Sequence, residues 1–367
     1  MHLVVTSPAP RRSWRELLEE DEDGLVSQSP EWLDALCDLR GYQDASRLYQ
    51  AADGTRMVLP LVRRRVRIPG LTVLQSMPAA WGFGGPLASR PLSPAHIRAV
   101  LDDLSDEGAL RVHIRPNPLH AATWAAAAGP EVVVVPRRAH VLDLSGGFET
   151  VWKERFTGST RNKTKKAERN GVEVCCDTTG RLLPVFHALF GQSVDRWAGQ
   201  QHEPLALARW RAARRDPLPK FEAMAGRLGA AFQVWVATYQ GRPAAALVVL
   251  RGRNAHYTRG AMDKALAGES HANSLLHKLA IEAACEQGCR SYHMGESGDS
   301  EGLNRFKSRF GAQVHDYAEY RLERLPLTRA EGVAKGVVKR IIGFRDAGTP
   351  QATSPGQREG DASVTAR

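Results

Sequence analysis

Apolar residues recur along this chain at two spacings, and the alternation between them marks out its elements. Residues 30–41, PEWLDALCDLRG, have helical spacing, open on Pro30 and close on Gly41. Residues 46–65 form two apolar runs around Asp53-Gly54, which reads as a hairpin. The Gly-rich aromatic stretch 79–89 reads as a loop. Ser93 caps a predicted helix to residue 108, and a strand is predicted over 109–116. Residues 132–147 lead into a second half, which opens with a helical stretch, 145–171, broken near Gly158. A strand (171–178), a helix (182–199) and a helical stretch interrupted by Pro217 and Pro219 (207–229) come next.

Three apolar runs then follow with short turns between them, 231–240, 244–252 and 255–262. This is the pattern of an antiparallel meander. Beyond it the spacing predicts a helix over 271–289, with Leu275, Leu276, Leu279, Ala280 and Ala283 on one side. A strand (290–297), a short helix (302–312) and a last strand (314–323) complete the half. Residues 328–345 place Val333, Val337, Ile341 and Phe344 on one stripe, with Lys335, Lys339, Arg340 and Arg345 mostly elsewhere. A helix docked on the domain is expected there, with a membrane-surface or nucleic-acid contact as the alternative. Residues 346–367 hold no aromatic and little apolar residue and are expected to be disordered. The resulting division is 1–145, 146–325, a basic amphipathic helix over 326–345, and a tail over 346–367.

A chain of 367 residues suits two domains. Its formal charge of +10 favours a polyanionic partner, whether nucleic acid, anionic lipid or a phosphate-bearing substrate. The charge is clustered. From Lys153 to Arg169 there are seven Lys/Arg against two Glu, and RRRVR (63–67) and RWRAARR (209–215) are further clusters. None interleaves with aromatics as a single-strand-binding surface does, and no helix-turn-helix or RNA-recognition motif is present, which disfavours a stand-alone nucleic-acid binder. The apolar start is too short for a signal peptide, and no apolar run is long enough to span a bilayer. Five cysteines show no disulfide framework, so a cytoplasmic, reducing location is expected. Cys285 and Cys289 stand four apart with no second pair at zinc spacing, which favours buried thiols and no metal. No Gly-x-Ser-x-Gly elbow is present, and Cys175-Cys176 has no obvious activating helix terminus, so a hydrolase built on a nucleophile is disfavoured.

The order of the second half, meander, helix, strand, short helix, strand, is that of the N-acyltransferase (GNAT) fold. Its particular sequences resemble the Fem family of aminoacyl-tRNA-dependent transferases. The matching pieces are SxRNKxKKAERNGV (159–172), YTRGAMD (257–263), SHANSLLHKLAIEAACEQG (270–288), HMGES (293–297) and GLNRFKSRFGA (302–312). PEWLDAL and GFGGPL in the first half resemble that family's first, degenerate GNAT-like domain. The resemblance implies a mixed α+β fold of two tandem GNAT-like domains. It also implies amide formation by direct amine attack on an activated acyl group. The preferred donor is aminoacyl-tRNA, and the acceptor is an amine, with or without a phosphate, either a peptidoglycan precursor or a specialised small metabolite. The alternatives are acyl-CoA or acyl carrier protein as donor, and a non-catalytic binding protein on the same fold. No cofactor or metal is implied.

Lys307, in the family's Phe-Lys pair with Phe306, is the expected oxyanion partner. The competing reading is a solvent-facing helix residue. Glu296, with His293 and Asp299 beside it, is the preferred acceptor of the amine's proton, against plain polar loop lining. Trp81 and Gly85 (with Phe83 between them) are expected to line the acceptor channel. Arg161 and Lys165 fall on the family's basic positions and are expected to clamp a phosphate. Lys163 and Lys166 are left to solvent or tRNA. The usual CoA-binding loop, Gln/Arg-x-x-Gly-x-Gly/Ala, is replaced by ALAGESHANS (265–274), which puts CoA binding in doubt. Ser270 and Asn273 are expected there as donor contacts or helix caps. Arg209 and Arg211 are candidate donor contacts on a basic helix.

Overall fold

The computed structural model describes residues 1–65, 71–298 and 300–345. Part of the RRRVR cluster, the candidate Asp299 and the tail from residue 346 lie outside them. Within the described residues one sheet of eleven strands runs through both halves. Its order is Glu173–Asp177, Phe232–Tyr239, Arg242–Arg251, Ala255–Met262, Ser291–Glu296, Val133–Asp143, Gln313–Glu323, Arg111–Ile114, Thr72–Ser76, Val62–Arg65, Gln43–Asp44. Val133–Asp143 is long and buried in its second part. It inserts between Ser291–Glu296 and Gln313–Glu323, pairing antiparallel with both, and so joins the halves through backbone hydrogen bonds. A second sheet of four short strands covers the first half.

Each half contains one parallel pair: Thr72–Ser76 with Arg111–Ile114, and Ala255–Met262 with Ser291–Glu296. The second pair matters for the site. Its register holds only at Ala255↔Tyr292 and His256↔His293. Beyond these residues the strands part.

The apolar spacing places the helices as predicted, with local chemistry setting their ends. In Pro30–Arg40 the Ser29 Oγ accepts from Trp32 N at 3.1 Å, and Gly41 closes the helix at φ 61°. Trp32, Leu33 and Leu36 from this helix share a buried core with Phe186, Phe190, Phe221 and Val248 of the second half. A common core of this kind makes the halves one packed body. The break predicted near Gly158 is a π-helical turn, Val151–Arg155, after which Thr157 caps Gly158–Arg169. ALAGES, which stands where the CoA-binding loop is usual, is part of a separate short helix, Lys264–Ser270.

The terminal segment departs from expectation. Leu327–Ile341 is helical but buries no residue, so it is not docked through its apolar stripe. No helix among the described residues is long and apolar enough to cross a membrane.

Candidate active site

A cavity of about 600 Å³ opens where the parallel strands part. Tyr257, Thr258, Arg259 and Gly260 form one wall, and Met294, Gly295 and Glu296 another. The first half contributes Trp32, Ala80, Phe83 and Arg115. Lys307 and Leu303 reach in from helix Glu301–Ser308, one helical turn apart.

Lys307 is the most constrained group. Its side chain is 2% exposed. Nζ donates to the carbonyls of Gly295 at 2.9 Å and Glu296 at 2.7 Å. Those carbonyls are available because the strand bulges between His293 and Gly295, where Gly295 takes φ 70°. Burial pushes the ammonium down to about 7, with Glu296 opposing the shift. Two of its three N–H bonds are engaged, which fixes the direction of the third.

Glu296 stands beside it. The Tyr317 hydroxyl donates to its Oε1, and Arg115 lies 4.0 Å from its Oε2. Arg115 is held in turn by the buried Glu319, donating from Nε at 3.0 Å. Burial alone would raise the Glu319 carboxyl. Its bonds with His113, Arg115 and Arg137 prevail and hold it well below the usual carboxylate range. The result is a fixed chain of charge from the sheet interior to the cavity wall.

A second polar cluster forms the far wall. Asp216 is fully buried and accepts from Lys220 at 2.8 Å and from Arg259 at 3.0 and 3.2 Å. Lys220 and Arg259 also donate to the carbonyl of Ala80, at 2.8 and 3.2 Å. Lys220 sits 4.5 Å from the Trp81 ring centroid. Burial lowers Lys220 to about 7 against the pull of Asp216. Nearly every donor in this cluster is engaged within the protein. It therefore pins the 79–83 loop of the first half onto the second.

Residues 154–308 match the sequence profile of an acetyltransferase (GNAT) domain. The second half of this chain is a GNAT acyltransferase domain. The fold of the whole is shared with the crystal structure of FemX, at a TM-score of 0.65 and 13% identity over 90% of this chain and 99% of that one. A conserved protein of unknown function from Bacteroides thetaiotaomicron VPI-5482 aligns at 0.50 and 9% identity, over 87% and 99%. The FemX match spans both halves, so the architecture is that of two tandem GNAT-like domains. No curated protein matches the chain in sequence.

Against this GNAT cavity the expected residues fall into two groups. Lys307 and Glu296 line it together, and the solvent-facing alternative for Lys307 fails on its burial. Trp81 lies just behind the wall, beneath Lys220. His293 is buried one layer deeper, with Phe83 at 5.9 Å and His256 at 6.0 Å between ring centroids. Burial holds its imidazole well below the ordinary value.

The others stand elsewhere, each for a visible reason. Gly85 serves the backbone, donating to Ser76 Oγ at 2.9 Å at φ 79°. Phe306 packs on His277 and Phe310. Arg161 holds backbone: its Nη1 donates to the carbonyls of Trp152, Lys153 and Phe156 at 3.1, 2.9 and 2.5 Å, which ties its helix to the preceding π-turn outside the cavity lining. Lys165, one turn further on, is exposed and outside the cavity lining. Ser270 joins two helices, donating to Leu266 O at 2.6 Å and accepting from Ala272 N at 3.2 Å. Asn273 is half-buried away from the cavity. Arg209 and Arg211 are paired to Asp195 and Glu203, at 2.8 Å in each case.

Sequence reasoning missed Arg115, Asp216, Lys220, Arg259 and Tyr317. Asp216 and Lys220 stand at i, i+4 in DPLPK, which was a usable signal for an ion pair. The others meet only through sheet order.

Proposed function

We propose that this protein forms an amide by passing an aminoacyl group from a tRNA ester to a primary amine. The observation that carries the reading is the Lys307 ammonium, anchored by two carbonyls at the mouth of a strand gap, with Glu296 adjoining. An aminoacyl ester is already activated, so positioning supplies most of the acceleration, up to roughly 7–11 kcal/mol. The amine nitrogen attacks the ester carbon, and the C–N bond forms as the carbonyl oxygen gains charge. The third N–H of Lys307 donates to that oxyanion, worth about 3–4 kcal/mol. Glu296 takes the proton of the attacking nitrogen. The C–O bond then breaks, and the ribose oxygen leaves as a hydroxyl with the proton that Glu296 took.

The donor end supports an ester on tRNA over a CoA thioester. In GNAT enzymes that use CoA, the pyrophosphate rests on backbone N–H groups of the helix after the meander. Here the Asp263 carboxylate accepts from Ala265 N and Leu266 N at 3.0 and 3.1 Å and caps a separate short helix, Lys264–Ser270, that stands between the meander and the long helix. The next helix, Ala272–Glu286, starts at His271. Burial lowers the His271 imidazole, and the nearby charges of Lys166 and Lys163 add to the effect. That basic edge suits a polynucleotide better than one pyrophosphate.

The test is a product assay with a mixture of charged tRNAs and a pool of amine acceptors, with and without ribonuclease. Product that forms only while the tRNA is intact supports the reading. Ribonuclease-resistant product, or product from acetyl-CoA alone, overturns it.

A further inference from the structure

The helix Leu327–Ile341 is held at its ends and covered nowhere. Thr328 Oγ1 donates to Glu323 at 2.7 Å, and Glu331 pairs with Arg111 at 2.7 Å. Past the other end, Arg345 N donates to Gln201 O at 2.8 Å. Between these anchors every residue from Arg329 to Ile341 is exposed. Val333, Val337 and Ile341 are 64, 53 and 77% exposed. With Ala330, Ala334 and Val338 they make an apolar arc about 140° wide at 100° per residue. Residues 327–345 carry Arg329, Lys335, Lys339, Arg340 and Arg345 against a single acid in the segment, Glu331, which is turned onto Arg111.

We propose that this helix lies on the surface of an anionic lipid bilayer. The apolar arc enters the boundary between headgroups and acyl chains, and the basic residues meet the lipid phosphates. The pairing of valine and isoleucine with cations selects this partner. RNA would reward the charge but has no use for exposed branched aliphatics, since it stacks on aromatic faces. A second copy of the helix would cover the arc but bring rows of like charge together.

A second exposed basic helix begins near the end of this one. Leu205–Arg215 starts four residues after Gln201, the contact of Arg345. It presents Trp210, 56% exposed with Arg214 over its ring, a side chain that favours membrane interfaces.

The proposal is independent of the donor and acceptor, and it is tested on the full chain by sedimentation with vesicles. One set contains phosphatidylglycerol and phosphatidylethanolamine, and the other phosphatidylcholine alone. The wild type should sediment with the anionic set and be released by salt. V337D/I341D alters only exposed positions, so its near-UV circular dichroism and thermal midpoint should match the wild type. Its association should fall at least tenfold, on the order expected for charge placed in the apolar face. Lys335→Glu with Arg340→Glu should also weaken association with the anionic set, through charge alone. Sedimentation equal for both lipid sets, or none with either, overturns the proposal. So does an unaltered V337D/I341D. A double variant that loses only tRNA affinity would give the helix to RNA. One that loses only a dimer seen on gel filtration would give it to a second copy. Either result also overturns the proposal.

Discussion

Replacing Lys307 by Met keeps the length of the side chain and removes its charge, and the structure sets the size of two effects. Without the ammonium the oxyanion loses a donor, so kcat should fall by roughly 10²–10³. The second effect is on stability. In the folded chain Lys307 titrates at about 7 instead of its ordinary 10.5. Between those values the unfolded chain binds a proton that the folded chain resists, so wild-type stability rises with pH across that window. The difference amounts to at most about 5 kcal/mol, fully present as a burden below pH 7 and relieved as pH approaches 10.5. The Met variant has no such group and lacks this part of the slope. At pH 7 it loses two hydrogen bonds to carbonyls but also sheds a buried charge. These terms are of similar size, so its stability there should change by less than about 2 kcal/mol. Urea unfolding of both proteins at pH 7 and pH 10, beside steady-state rates, measures all of this. Parallel stability curves, or a variant with undiminished kcat, would refute the placement of a depressed, reacting ammonium at this site.

Glu296→Gln should lower kcat by roughly 10²–10⁴. Because Glu296 supports the charge of Lys307, the residual activity should also lose its alkaline limb at a lower pH, as a pH–rate profile will show. Asp216→Asn leaves the buried Lys220 and Arg259 without their carboxylate. Unfolding in urea should show a loss of about 3–5 kcal/mol, with the cavity wall at Ala80 released. Arg161→Ala should cost about 1–3 kcal/mol of stability through its three carbonyl contacts, and leave KM for donor and acceptor unchanged.

Much of this fold could be read from spacing because the elements are locally consistent. The meander, the helix opened by Pro30 and closed by Gly41, the Ser93 cap and the helix after the meander each carry their own signal. The single sheet across both halves could not be read that way. Nothing local says that Val133–Asp143 should insert between two later strands. The site divides along the same line. Lys307 and Glu296 were found through motif resemblance, since a lysine on a short helix otherwise reads as surface. The surroundings of Arg161 were not legible, because a guanidinium suits backbone carbonyls as well as phosphates, and the carbonyls it meets come from the π-turn at Val151–Arg155 and its ends. Asp216 and Arg259 meet by topology alone.

The account rests on an aminoacyl ester reaching the gap beside Lys307. The most direct measurement is binding of tRNA bearing a non-reactive, amide-linked aminoacyl group, followed by fluorescence of Trp197 and Trp32 at the cavity. Saturable quenching that coenzyme A does not reverse, and that uncharged tRNA reproduces only weakly, is the predicted result. Displacement by coenzyme A, or equal quenching by charged and uncharged tRNA, would contradict it.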